Sequence, residues 1–213
     1  QLPDGGLSGL RIAYSRTLGY ARVDAEVAGC VDAAVAELAA LGAVVEDIDL
    51  VLEDPISIMQ PLWSVALAIG LEAMTGAQRA QLDPPVRDLA APGFSMSALH
   101  YRAIERQREA LARRMNLLHD NFDLLVTPQL ATTAFADGHE VPPGSGLERW
   151  WEWSPFTYPF NLTQQPAATV PCGFTAGGLP VAMQLVGRRC ADTQVLRAAR
   201  AWEAAHPFRL PPL

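Results

Sequence analysis

Apolar and polar residues along this chain change period several times, and each change marks an element. Gly9-Leu10-Arg11-Ile12-Ala13-Tyr14 reads as a short strand. Asp24 then suits an N-cap, and Val27, Val31, Val35, Leu38 and Leu41 recur at helical spacing before Gly42, the glycine common just past a helix end. Ala43-Val44-Val45-Glu46-Asp47-Ile48 follows as a second strand. Strand, helix and strand within about forty residues form a βαβ unit, the usual signature of parallel pairing.

Residues 55–75 carry a helical pattern that starts on Pro55 and ends at Gly76. Residues 82–94 hold Pro84, Pro85, Pro92 and Gly93 and are expected to be mainly loop. Ser95 or Ser97 can cap a long helix that runs to about His119, with Leu99, Ile104, Leu111, Met115 and Leu118 as its apolar side. Its arginines alternate with Glu105 and Glu109, which predicts a solvated, partly paired face. Residues 122–128 form an apolar run stopped by Pro128, as in a buried strand. A long loop rich in Gly, Pro and aromatics follows, through Trp150, Trp151, Trp153, Phe156, Tyr158 and Phe160; loops of that length are often functional. Ala167-Ala168-Thr169-Val170 and Val181-Ala182-Met183-Gln184-Leu185-Val186 flank a turn with Gly177-Gly178, a hairpin pattern. Asp192 then caps a last helix with Val195, Leu196, Ala199 and Trp202 on one side. The expected architecture is one α/β domain over residues 1–213, a mixed sheet begun by the βαβ unit and covered by helices.

Composition narrows the chemistry. Half of the 213 residues are apolar and the net charge is −7, so disorder is excluded and phosphate backbones are repelled; no nucleic-acid partner is expected. The apolar stretch from Ile56 to Met74 is broken by Gln60, Pro61, Ser64, Gly70 and Glu72, which fits a buried helix and not a membrane span. Cys30, Cys172 and Cys190 are few, odd in number and widely spaced, as in a cytoplasmic protein with reduced thiols. All 16 basic residues are arginine, and there is no lysine. The chain opens on Gln1 with no signal-peptide pattern, which fits a processed or cut-down product.

Several chemistries find no support. Asp4-Gly5-Gly6-Leu7-Ser8-Gly9 precedes a strand, so it is a turn and not a phosphate loop. No G-x-S-x-G elbow is present. His100, His119, His139 and His206 are scattered; the first two fit surface positions on the long helix, and His139-Glu140 is an outside functional candidate in a loop. Cys172 lacks a neighbouring cation and reads as a structural thiol. Asp120 and Asp123 have no histidine at ligand spacing, and neither a metal nor a cofactor is expected.

The segment Phe156-Thr157-Tyr158-Pro159-Phe160-Asn161-Leu162-Thr163-Gln164-Gln165-Pro166-Ala167-Ala168-Thr169-Val170-Pro171-Cys172-Gly173 resembles the C-terminal part of the amidase signature family. Gly178-Leu179-Pro180-Val181-Ala182-Met183-Gln184-Leu185-Val186-Gly187-Arg188 and the Thr-Pro end of Phe122-Asp123-Leu124-Leu125-Val126-Thr127-Pro128 extend the likeness, as does the opening βαβ unit. The resemblance implies hydrolysis of a carboxamide by a serine nucleophile, a bridging serine and a lysine base, beside a Gly/Ser-rich segment that supplies oxyanion donors. A desolvated lysine can accept protons at neutral pH, whereas a guanidinium cannot. This chain holds neither the lysine nor the Gly/Ser-rich segment, so it is expected to be the C-terminal portion of an amidase, inactive by itself, with the catalytic half as its missing partner.

In such an enzyme this portion would wall the pocket for a small-molecule amide, with Thr127, Trp150, Trp151, Trp153 and Phe156 as candidates. Core or interface packing competes as a role for the same aromatics. Ser154 stands where the glutamine-hydrolysing subunit of the glutamyl-tRNA amidotransferase typically carries an aspartate, and the three tryptophans favour a larger apolar or aromatic acyl group. Two readings stay open beside the amidase: a non-catalytic small-molecule-binding or assembly module, and that glutamine-hydrolysing subunit. Exposed strand edges would favour a homo-oligomer.

Overall fold

The computed structural model describes residues 6–48, 50–208 and 210. In chain order the elements are β1 (Arg11–Tyr14), α1 (Ala25–Ala40), β2 (Val44–Asp47), α2 (Ile56–Glu72), α3 (Gly76–Ala80), α4 (Pro84–Ala90), α5 (Ala98–Leu118), β3 (Leu124–Pro128), α6 (Tyr158–Thr163), β4 (Ala167–Phe174), β5 (Pro180–Gly187) and α7 (Asp192–Ala205). Short 3-10 turns occupy Ala91–Ser95 and Trp150–Trp153. The chain divides into two compact units, residues 54–114 and the remainder. The Asp4-Gly5 part of the glycine-rich opening lies outside the described residues.

The larger unit is built on a five-stranded mixed sheet in the order β2-β1-β3-β5-β4. β1 pairs in parallel with β2 and β3, and β5 runs antiparallel to both β3 and β4. The βαβ unit and the hairpin of the sequence are therefore both present. Asp24 caps α1 by accepting the Glu26 backbone N–H at 2.8 Å. At the other end Gly42 takes a φ of +96°, which a side chain would resist. Between them Val27, Val31, Ala34 and Leu38 fall on one face and pack on the sheet with Val195, Ala198 and Trp202 of α7. That layer meets the alternate strand residues Ile12, Tyr14, Leu124, Val126, Met183 and Leu185. The opposite face carries Leu125, Thr127, Gln184 and Val186, all buried, and Gln184 reaches the Phe156 carbonyl there at 3.0 Å. The long aromatic segment thus closes the second face. Burial on both faces explains why β3 is buried throughout and its apolar run Leu124-Leu125-Val126 does not alternate.

In the smaller unit several expectations need correction. The helix from Ile56 stops at Glu72, and Thr75 caps the separate α3 through a capping box with Gln78; Gly76 opens a helix and does not end one. Residues 82–94 are helical for the most part: Pro84 and Pro85 sit at the start of α4, where the missing proline N–H costs nothing. Ser97 caps α5 by accepting the His100 N–H at 3.1 Å, while Ser95 turns back to Pro92. Ile104 is buried, but Leu99 is 86% exposed and does not join the apolar side of α5. Arg102 pairs with Glu105, as the charge alternation implied. In α7 of the larger unit, Asp192 is the first helical residue and not the cap, and Ala198 is buried where Leu196 is exposed. No helix among the described residues is long and apolar enough to cross a membrane.

Candidate functional site

β1 lies between β2 and β3, so the chain leaves β1 toward one side of the sheet and returns on the other. In α/β sheets a crevice forms outside the carboxyl ends of strands at such a switch point. Here the segments leaving those ends are tied together: the Asp24 N–H donates to the Ala131 carbonyl at 2.8 Å, and the Tyr20 hydroxyl donates to the Pro155 carbonyl at 2.6 Å. The Tyr14 hydroxyl, at the end of β1, donates to Asp32 at 2.7 Å, and Arg16 holds the same carboxylate from 2.8 Å. Burial, helped by Asp32, raises the Tyr14 pKa well above its ordinary value, so this phenol stays protonated.

From the segment after β3 a largely apolar groove of about 980 Å³ runs along β4 toward the end of α7. Gln129, Leu130, Phe135 and Trp153 are among the residues that line it. The open side of β4 is guarded over its second half. Trp202 Nε1 donates to the Pro171 carbonyl at 2.8 Å, and the Cys30 thiol reaches the Phe174 carbonyl at 3.5 Å. Pro171 has no N–H to offer, and the pairing with β5 is irregular between Pro171 and Gly173.

The candidate residues separate. Thr127 is fully buried on β3, its hydroxyl donating to the Pro128 carbonyl at 2.8 Å and accepting from Gln184 Nε2 at 3.3 Å. Phe156 is fully buried, and Trp151 is buried under the Arg149 guanidinium at 4.6 Å. Trp150 is half-buried and meets Trp151 edge-to-face at 5.7 Å. Of the five, Trp153 lines the groove. Its ring packs edge-to-face on Phe135 at 5.7 Å, and its indole N–H donates to the Glu140 carbonyl at 3.0 Å. Phe135 and Gln129 were not picked out by sequence pattern; their signal is their place just past the carboxyl end of β3. The Glu140 side chain is structural, accepting from Arg149 at 3.1 Å and from the Trp150 N–H at 3.2 Å, while His139 is exposed.

His119 departs most from expectation. It is buried, not on the surface, with Nδ1 at 3.1 Å from the Phe122 carbonyl and Nε2 at 2.8 Å from Gln165 Nε2. Gln165 also donates to the Gly187 carbonyl and accepts from Thr163 at 2.8 Å. A neutral ring with its proton on Nδ1 satisfies both contacts, and burial holds its pKa below the ordinary value. Cys172 fits its structural reading: burial, with Cys30 nearby, pushes its pKa up to about 12. Among the described residues lining the groove there is neither serine nor lysine. The groove can hold an apolar group and offer it a polar anchor, but it presents no activated nucleophile.

A family model described as Amidase matches residues 4–196. The chain belongs to the amidase signature family. It is 32% identical over 211 residues to an acylamidase of Rhodococcus erythropolis, an alignment covering 96% of this chain and 44% of that protein. It is 31% identical to a glutamyl-tRNA(Gln) amidotransferase subunit of Symbiobacterium thermophilum, over 92% of this chain and 45% of the relative. The crystal structure of a bacterial aryl acylamidase of the amidase signature enzymes superposes with a TM-score of 0.81 at 26% identity, covering 95% of this chain and 44% of that one. This amidase-family chain therefore spans a little under half the length of these relatives.

Proposed function

We propose that these residues are the C-terminal portion of an amidase that hydrolyses a carboxamide to a carboxylate and ammonia or an amine. This portion supplies the sheet core and part of the substrate pocket. The serine nucleophile, bridging serine and lysine base implied by the family resemblance lie in polypeptide outside these 213 residues. One observation carries the reading: a family match over almost the whole chain, in a sequence without a lysine. The family's base cannot be replaced by any of the 16 arginines, because a guanidinium stays protonated.

An acyl-amide substrate fits better than glutamine. Ser154 is buried and its hydroxyl donates to the Trp151 carbonyl at 3.3 Å, so it brings no charge to an ammonium. Glu152 does not replace it, since its Oε2 accepts the Glu148 and Arg149 N–H groups at 2.7 Å each. Kinetics of the intact enzyme on glutamine, an aliphatic amide and an aryl amide test this directly. The expected result is a higher kcat/KM for the aryl amide than for glutamine. A strong preference for glutamine would replace the acylamidase reading with the amidotransferase one. Hydrolysis of no amide at all would leave the non-catalytic binding module.

A further inference from the structure

The sheet ends on β4, and only part of that strand's backbone is used. Pro166, just before it, accepts the Gly187 N–H at 2.9 Å, and Ala168 and Val170 stand opposite Leu185 and Met183. In an antiparallel ladder alternate residues turn both backbone groups to the same neighbour, so 166, 168 and 170 face β5 while 167, 169 and 171 face the open side. Pro171 fits that parity: its carbonyl receives Trp202 Nε1 at 2.8 Å, and it has no N–H to offer. Ala167 and Thr169 are exposed, and among the described residues nothing bonds to their outward N–H and C=O groups.

Charge and symmetry say what fits there. Residues 166–174 hold no acidic or basic side chain, in a chain whose net charge is −7. The opposite edge, β2, carries Glu46 and Asp47, so two copies meeting there would set carboxylates against each other. The open groups of β4 are also self-complementary. About a two-fold axis at Ala168, the Ala167 N–H meets the Thr169 carbonyl of a second copy, and the Thr169 N–H meets that copy's Ala167 carbonyl. The alanines at the axis let the strands approach, and the Thr169 hydroxyl is drawn aside to Gln129 Oε1 at 2.6 Å.

We propose that residues 167–169 pair antiparallel with the same residues of a second copy of this chain, joining two five-stranded sheets into one. Pro166 and the Trp202 contact on Pro171 bound the seam at its two ends. The pairing stands independently of the amidase reading.

Sedimentation of the 213-residue chain over a concentration series should give a monomer–dimer equilibrium. Thr169→Pro removes an outward N–H and leaves the bonds to β5 in place, as Pro171 does naturally. It should raise the dimer dissociation constant about tenfold or more, while thermal melting at a concentration where both proteins are monomeric stays cooperative. Register is read separately. Ala168 faces its own copy in a non-hydrogen-bonded pair, where Cα atoms lie about 4.5 Å apart, within disulfide reach. With oxidised glutathione, Ala168→Cys should form a covalent dimer several-fold faster than wild type, whose three thiols set the background, and faster than Val44→Cys on β2. Equal dissociation constants for wild type and Thr169→Pro overturn the proposal, as does an Ala168→Cys dimer no faster than background. If Thr169→Pro fails to fold, the Ala168→Cys result decides. A chain that stays monomeric alone yet binds its separately expressed upstream polypeptide along β4 overturns the second copy and gives the edge to that polypeptide.

Discussion

At the scale of single residues, hydrogen-bond partners decide more than residue type. His119 sits where a local helical reading sees only the end of α5, yet its partner Gln165 is 46 positions away. Because burial lowers its folded-state pKa below the ordinary 6.5, the folded protein binds fewer protons than the unfolded chain just below that pH. This contribution to stability is full above about 6.5 and falls as the pH drops toward the folded value. Arg188 opposes protonation, while Asp120, Asp123 and the Phe122 carbonyl favour it. Denaturant melts at pH 7.5 and pH 5 should show a drop in stability that is smaller in His119→Gln; an equal drop in both proteins would remove His119 as its source. Gln184 makes the other buried bridge, holding Thr127 and the Phe156 carbonyl. Gln184→Leu leaves both without that partner and should cost about 1–3 kcal/mol in chemical denaturation. A loss within a few tenths of a kcal/mol would mean that the contacts are replaceable. These polar links were not legible in the sequence, because each joins residues from separate elements.

At the scale of elements, period and punctuation were legible where one layer of neighbours covers a segment. The α1 stripe from Val27 to Leu38 and the β4–β5 hairpin lie where their patterns place them. Proline was the weaker sign. Pro84 and Pro85 open a helix instead of breaking one, so reading them as loop markers hides α4. Packing there is close: a Cβ on Gly93 would run into the Ser64 carbonyl of α2. Gly93→Ala should therefore destabilise the smaller unit by about 1–3 kcal/mol, read by hydrogen exchange of the α2 amides. Unchanged protection would show that the two segments can separate without penalty. The candidate site was half legible. The aromatic loop drew notice by composition, but Trp151 and Phe156 turn inward while Phe135, with no motif around it, shares the groove wall with Trp153.

At the scale of the whole molecule, the sheet ends in β2 on one side and β4 on the other, and much of both strands is exposed. Pro171 and the Trp202 contact protect the second half of β4, but the stretch from Ala167 to Val170 has no such guard among the described residues. Open edges and the apolar groove favour association, so multi-angle light scattering of the 213-residue chain at rising concentration should give a dimer or larger species. A strictly monomeric chain at high concentration would mean that the edges protect themselves. The family was legible from the 156–188 segment. The most direct measurement is amide turnover by the purified 213-residue chain, alone and joined to the upstream polypeptide of its own enzyme. No hydrolysis from the chain alone and full hydrolysis from the joined protein is the predicted result. Sustained amide hydrolysis by the lysine-free chain alone would contradict it.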